Sequence, residues 1–416
     1  MSALTSSPRI IFSGGSFLTP DASRIEKVDL AIEGKNIVAI GNSLDGDEAI
    51  NCNGLVMLPG LIDTHVHLCV TKPDLWRRQQ EPFSLQFFQA SRNMALTLET
   101  GITFVRDAAG ADAGLKRAVT EGLVPGPRMQ ISITMISQTG GHGDGWMPCA
   151  GHLPAPFGRE HPGRPRGIVD GPDEMRKKVR EIIRAGADVI KVATSGGVLS
   201  PGDDPRHAHF RDDELNILVS EASAANRYVM AHAQASGGIK AALRAGVRSI
   251  EHGIYLDDEG IDLMIKKKAF LVPTLVAPIT ALEYGLKANT MMPEILEKVQ
   301  GVIQDHRNAI KRAAEAGVRI AFGTDAGVSP HGDNLREFRL LKDVGMSPVD
   351  VLRSATTVAA ELMGISERHG SLEVGKVADI VLIEGDPFSF ENFKERIKQV
   401  WMNGKLVSNP ALLIAK

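Results

Sequence analysis

The apolar and polar positions of this chain change rhythm twice, and the changes divide it into three stretches. Over residues 9–58 the apolar residues come in short runs, Arg9–Phe12, Val28–Ile32, Ile37–Ile40 and Leu55–Leu58, separated by turn-forming Gly, Asn and Asp. Such runs read as strands. Two more, Ala378–Ile383 and Val400–Val407, lie near the other end. Neither group can close a sandwich alone. Both ends are therefore expected to pair into one small β-sandwich domain, contributed by residues 1–58 and 366–416.

Between them, over residues 59–365, apolar runs alternate with helical patterns. After a first strand ending near His67 come Ile102–Arg106, Met129–Ile136, Val189–Ala193, Tyr228–His232, Ser249–His252, Phe270–Leu275 and Ile320–Thr324. The helical stretches include Asp173–Ala185, Asp212–Ala225, Ser236–Ala245 and Pro293–Ala316, and Gly186, Gly246 and Gly317 fall where helices commonly end. Eight alternating units predict an α/β architecture, a (β/α)8 TIM barrel rather than an open doubly wound sheet.

Candidate chemistry collects at the ends of these strands. Leu58-Pro-Gly-Leu-Ile-Asp-Thr-His-Val-His67 reads as a buried strand entered from a Pro-Gly turn. Alternation along it puts Asp63, His65 and His67 on one face. Two imidazoles so placed make either a chelating pair or a hydrogen-bonded core pair. Lys191 lies inside the apolar run Val189–Ala193, as a salt-bridged structural lysine or as an amine that reacts with CO2 beside metal cations, giving a carbamate able to bridge two ions. His232, His252 and Asp325 close the fifth, sixth and eighth strands. Singly each could be a hydrogen-bonded polar residue. Together they form a ligand set of four imidazoles, one carboxylate and one modified lysine, which suits Zn2+, with Mn2+ or Co2+ as substitutes.

Composition narrows the partners. The 416 residues carry a formal net charge of −3, which gives no reason to expect nucleic acid or an anionic membrane. No apolar run approaches the ~18 residues of a membrane span. Three cysteines, Cys52, Cys69 and Cys149, are too few for a disulfide framework and point to a reducing compartment. Met1-Ser-Ala-Leu-Thr-Ser-Ser-Pro lacks the features of a secretory leader, so the cytoplasm is expected, with a small-molecule partner and a homo-oligomeric state.

Taken jointly, Gly60-Leu-Ile-Asp-Thr-His-Val-His67, Lys191, His232, Glu251-His252-Gly253, Gly323-Thr-Asp325 and the closing Gly370-Ser-Leu-Glu-Val-Gly-Lys-Val-Ala-Asp379 resemble the binuclear amidohydrolase superfamily over essentially the whole chain. Ser137-Gln-Thr-Gly-Gly-His142 and Thr324-Asp-Ala-Gly-Val-Ser-Pro-His-Gly-Asp-Asn334 resemble its branch of metal-dependent dipeptidases and carboxypeptidases related to imidazolonepropionase, some of which split N-acyl amino acids, including ochratoxin-type amides. The resemblance implies two divalent ions. His65, His67 and Asp325 would hold one and His232 and His252 the other, bridged by carboxylated Lys191. Gln234 stands where several relatives place an aromatic residue or histidine, so their substrate preference does not transfer directly.

The reaction expected is hydrolysis of an amide bond by a water that the metal pair acidifies. Asp325 would take the water's proton and return it to the leaving amine, and His142 would help polarise the scissile carbonyl. A deaminase or cyclic amide hydrolase on the same barrel, or a catalytically silent scaffold, are the alternatives. Around the substrate, Gln234, His331 and Asp333 are candidates. The long segment Gly143–Gly167 would form an apolar wall through Trp146, Met147, Leu153, Pro154, Pro156 and Phe157. Arg159, Arg164 or Arg166 could clamp a free α-carboxylate. His207-Ala-His209 is expected to be solvated or at the pocket mouth, and Gly196-Gly197 to make a tight turn.

Overall fold

Leu55–Pro59 lies antiparallel to Ile380–Glu384, so the two ends of the chain meet in one sheet. The computed structural model of the protein describes residues 7–70, 80–147, 151–152, 159–200, 202–288 and 293–408. That sheet has the order Lys405–Ser408, Ile397–Met402, Ile380–Glu384, Leu55–Pro59, Ser16–Leu18, Ile25–Glu26. A second sheet runs Asn36–Gly41, Asp29–Glu33, Arg9–Ser13, Glu48–Asn51. Phe12, Leu30, Ile32 and Met57 share a buried cluster with Leu382 and Trp401. The Phe12 and Trp401 rings meet edge to face at 5.0 Å, an arrangement the aromatic quadrupoles favour.

The intervening chain forms parallel strands with helices between them. Arg128–Ile131, Ile102–Asp107 and Leu61–Val66 make one sheet. Met135–Ile136, Val189–Ala193, Tyr228–Ala233, Ser249–His252, Phe270–Val272 and Arg319–Ile320 make the other. All pairings within them are parallel. Hydrogen bonds join their edges: Asp188 N donates to Ile131 O at 2.9 Å, and on the other side Thr64 N donates to Phe322 O and His67 N to Ala326 O. Both faces of such strands are covered, so they read as continuous apolar runs, and every residue of Val189–Ala193 is buried.

Helix limits follow the sequence signals closely. Pro172–Arg184, Asp212–Ala224, Ser236–Ala245 and Pro293–Glu315 match the expected stretches to within a residue. Gly246 caps its helix at φ +100°, a left-handed conformation that costs glycine little. Among the described residues no helix is long and apolar enough to cross a membrane.

Three expected strands depart from a continuous ladder: one is interrupted in its middle and two stop short. Met129–Ile136 is broken into Arg128–Ile131 and Met135–Ile136, with Ile133 at φ +69°. Phe270–Leu275 stops at Val272, ahead of Thr274 at φ +55°. Ile320–Thr324 keeps ladder pairing only at Arg319–Ile320, and its later residues bond instead to Leu61–Val66. β-Branched residues avoid positive φ, so both turns are imposed by their surroundings.

Candidate metal centre

Five imidazoles form a continuous row. His65 packs against His67 at 5.4 Å between centroids and against His252 at 5.1 Å; His252 meets His232 at 4.7 Å, and His232 stacks on His142 at 4.1 Å. His65 Nδ1 lies 2.7 Å from Glu251 Oε2, and His67 Nδ1 donates to Ala109 O at 2.9 Å. Those bonds turn the Nε2 atoms of both rings toward Asp325, whose Oδ1 is 3.5 Å and 3.1 Å away. Nitrogen and oxygen atoms of His65, His67 and Asp325 lie within 4.8 Å of one another, all buried. His65 Nε2 and Asp325 Oδ1 have no hydrogen-bond partner among the described residues. A buried orphan nitrogen beside an orphan carboxylate oxygen is costly unless a cation completes it.

The second group has its own supports. His232 Nε2 donates to Gly196 O at 3.1 Å, leaving Nδ1 as the available lone pair. His252 Nδ1 is 2.7 Å from Thr274 Oγ1. His252 and Asp325 sit at φ +71° and +55°, so two proposed ligands occupy conformations that L residues avoid. Burial, then the charge of Lys191, pushes His65 well below the usual imidazole range. Burial, then His142, does the same for His232, and burial takes His252 to about 3. Neutral imidazoles are the form that binds metal. For Asp325 burial acts upward, but the His67 ring 3.1 Å away and the other neighbouring imidazoles outweigh it and hold the carboxyl below its usual value.

Lys191 is 1 % exposed, and burial brings its ammonium down to about 8 against the opposing pull of Glu251 and Asp325. A neutral amine is therefore accessible near neutral pH. His142 is held by Ser200 Oγ at 2.9 Å from Nδ1, with Asp203 Oδ2 at 3.6 Å. A Cβ on Gly197 would stand 2.1 Å from this ring. The Gly196-Gly197 pair thus serves close approach of His142 as well as the turn.

Several residues singled out in the sequence lie elsewhere. Asp63 shares the face of His65 but accepts bonds from Thr324 Oγ1, Asn334 Nδ2 and His65 N, and burial raises its carboxyl to about 6. His331 is buried with both nitrogens engaged, by Thr97 Oγ1 at 3.0 Å and His67 O at 3.2 Å, so it supports His67. Asp333 is exposed, and its neighbour Asn334 makes the buried contacts. Gln234 is 6 % exposed, and its Oε1 has no partner among the described residues. His207 is exposed, whereas His209 is buried.

The apolar wall is not supported at Trp146, which is 55 % exposed on a two-residue strand paired with Gly151–His152. Leu153, Pro154, Pro156 and Phe157 lie outside the described residues. Arg159 donates to Glu81 O at 2.6 Å. Arg164 is buried against Gly110 O and Arg159 O, as a structural guanidinium. Arg166 faces Asp144 and Glu160.

Sequence reasoning missed Arg106, Thr274 and Glu337, and read Glu251 only as part of a motif. Glu337, wholly buried, accepts from Leu275 N at 2.9 Å and Val276 N at 2.8 Å and so pins the turn that carries Thr274. Arg106 sits in the buried strand Ile-Thr-Phe-Val-Arg-Asp, the same signal that marked Lys191.

Residues 56–407 match the model of the Amidohydrolase family. Ochratoxinase of Aspergillus niger is 32% identical over 97% of this chain and 87% of its own length, and its crystal structure superposes with a TM-score of 0.82. A prolidase complexed with N-methylphosphonate-L-proline superposes at 0.89, with 36% identity over 96% of this chain and 100% of that one. A Xaa-Pro dipeptidase with methionine bound in its active site gives 0.86, with 31% identity over 96% and 99%.

Proposed function

The chain belongs to the amidohydrolase family and is a hydrolase of carbon–nitrogen bonds, and from that premise we propose that it splits the amide bond of an N-acyl amino acid or dipeptide with two divalent metal ions, Zn2+ foremost. The observation that carries this reading is the buried pair His65 Nε2 and Asp325 Oδ1, each without a hydrogen-bond partner among the described residues. Imidazoles and a carboxylate without thiolates suit Zn2+. His65, His67 and Asp325 would hold one ion and His232 and His252 the other, with Lys191, once carboxylated, as a further ligand. When bound, the ions supply the positive charge that acidifies a water and polarises a carbonyl.

The chain's own groups do the rest. Asp325, held as a carboxylate, accepts the proton of the attacking water and passes it to the leaving amine. His142, fixed by Ser200 and its stack on His232, donates to the scissile carbonyl oxygen as charge builds there. Gln234, two residues after His232, offers a buried amide oxygen to the substrate. Similarity to a prolidase and a Xaa-Pro dipeptidase favours a substrate that releases an amino acid, and similarity to ochratoxinase brings ochratoxin-like amides into the candidate set.

The same premise supports reading the two parallel sheets as one (β/α)8 barrel over residues 59–365. The end sheets then form a β-sandwich from residues 1–58 and 366–416.

Elemental analysis of protein grown in metal-replete medium, joined to hydrolysis of a panel of N-acyl amino acids and dipeptides, tests this reading. We expect ~2 ions per chain and release of free amino acid. Well under one ion per chain overturns it. Lys191→Ala should lose metal and activity together, with partial recovery in a short carboxylate such as propionate; full activity in that variant removes Lys191 from the site.

A further inference from the structure

Beneath the row of imidazoles lies an ion pair that the proposed chemistry does not use. The side chains of Arg106, on Ile102–Asp107, and Glu251, on Ser249–His252, have no exposed surface. Arg106 Nη2 is 2.9 Å and 3.1 Å from the two carboxylate oxygens, its Nη1 is 3.1 Å from Ser249 Oγ, and its Nε donates to Thr64 O at 2.6 Å. Ser249 Oγ donates to Glu251 Oε1, and Glu251 Oε2 faces His65 Nδ1 at 2.7 Å. The pair thus grips His65 twice, through its ring and through the carbonyl just before it.

Stability does not account for this arrangement. Taking two charges out of water costs as much as their attraction returns, and an apolar pair of similar volume is often as stable or more so. What an apolar pair cannot do is accept a proton from Nδ1 of His65. We infer that Glu251, held by Arg106 and Ser249, is a positioning residue that fixes the tautomer and ring orientation of His65 and thereby the affinity and geometry of the metal centre. A carboxylate behind a ligating imidazole also raises its basicity toward the ion. The inference rests on the metal reading above.

The test measures Zn2+ affinity by chelator competition, and the absorption spectrum of the Co2+ form, for the wild type, Glu251→Gln, and the double variant Arg106→Met with Glu251→Leu. Loss of such a partner typically weakens metal binding ~10–100-fold. We expect that loss and an altered Co2+ spectrum in both variants, while the double variant keeps wild-type circular dichroism and thermal midpoint. If Glu251→Gln does not fold, the double variant decides alone. A folded variant with wild-type affinity and spectrum overturns the positioning role and leaves the metal reading standing. A wild-type protein that takes up no divalent ion overturns both.

Discussion

The ring of His142 lies flat on that of His232, with centroids 4.1 Å apart and planes 14° from parallel. The residue proposed to act on the scissile carbonyl is thereby stacked on a proposed metal ligand, and the two roles can be separated by mutation. His142→Ala should fold and keep its ions while turnover falls ~10²–10³-fold, the usual cost of one oxyanion donor. Gly197→Ala, whose Cβ would stand 2.1 Å from the ring, should reproduce much of that fall by pushing His142 off its stack. Metal content and kcat measured on the same samples check both. Normal turnover in His142→Ala, or loss of ions, would mean that the residue is misplaced.

Thr274 reaches His252 Nδ1 from a backbone conformation that a β-branched residue avoids. Thr274→Val removes the hydroxyl and preserves the shape. The hydrogen bond itself contributes about 1 kcal/mol to stability, so the thermal midpoint should move only modestly. Zn2+ affinity should drop ~10–100-fold, because an oriented ligand has lost its support. Unchanged affinity would show that Thr274 merely closes the turn.

Acid sensitivity should trace in part to His306. Burial lowers its imidazole to about 4, and Nε2 donates to His252 O at 2.9 Å. A base depressed in the folded state contributes stability above its unfolded value near 6.5, lost as pH falls through about 4. Protonation of this one group should cost about 2–3 kcal/mol between pH 7 and pH 4.5. His306→Gln keeps an N–H donor and cannot titrate, so denaturant unfolding of the metal-free protein should show a smaller difference between the two pH values. An equal difference in variant and wild type would exclude His306 as the source.

Gln234 Oε1 is buried without a hydrogen-bond partner among the described residues, and the proposed substrate is a candidate to supply a donor. Gln234→Ala should raise KM more than it lowers kcat, with metal content unchanged. The substrate panel should favour an apolar or aromatic released amino acid with a free α-carboxylate, so that N-acyl-Phe exceeds both its amide and N-acyl-Arg in kcat/KM. A preference for the Arg substrate removes the apolar pocket. Indifference to amidation removes carboxylate recognition.

What the sequence disclosed, and what it hid, follow from the reach of each interaction. His65 and His67 were legible because alternation on one strand fixes their common face without further information. Lys191 was legible because a cation in an apolar run needs a reason. Arg106 offers that same signal in Ile102–Asp107, yet its partner Glu251 lies on another strand, so the pair appears only when the strands are placed side by side. Strand ends were the least legible part of the fold. Ile133 and Thr274 belong to residue types that favour strands, and the backbone at both positions leaves the strand to serve the cluster above. Trp146 is 55 % exposed on its hairpin with Gly151–His152, an exposure that its residue type alone does not disclose.

The join between the chain's two ends also sets an order of events during synthesis. Leu55–Pro59 leads straight into the strand that carries His65 and His67, and Gly60 N donates to Asp379 O at 2.8 Å. Its neighbour Ile380–Glu384 leaves the ribosome roughly 300 residues later, on the order of 15–60 s at ordinary elongation rates. For that interval the strand that carries His65 and His67 is rooted on one side only, by the pairing of Leu55–Pro59 with Ser16–Leu18. A nascent chain stopped short of Ile380 would leave the root of that strand paired with Ser16–Leu18 alone, without the antiparallel partner that joins the two ends of the chain.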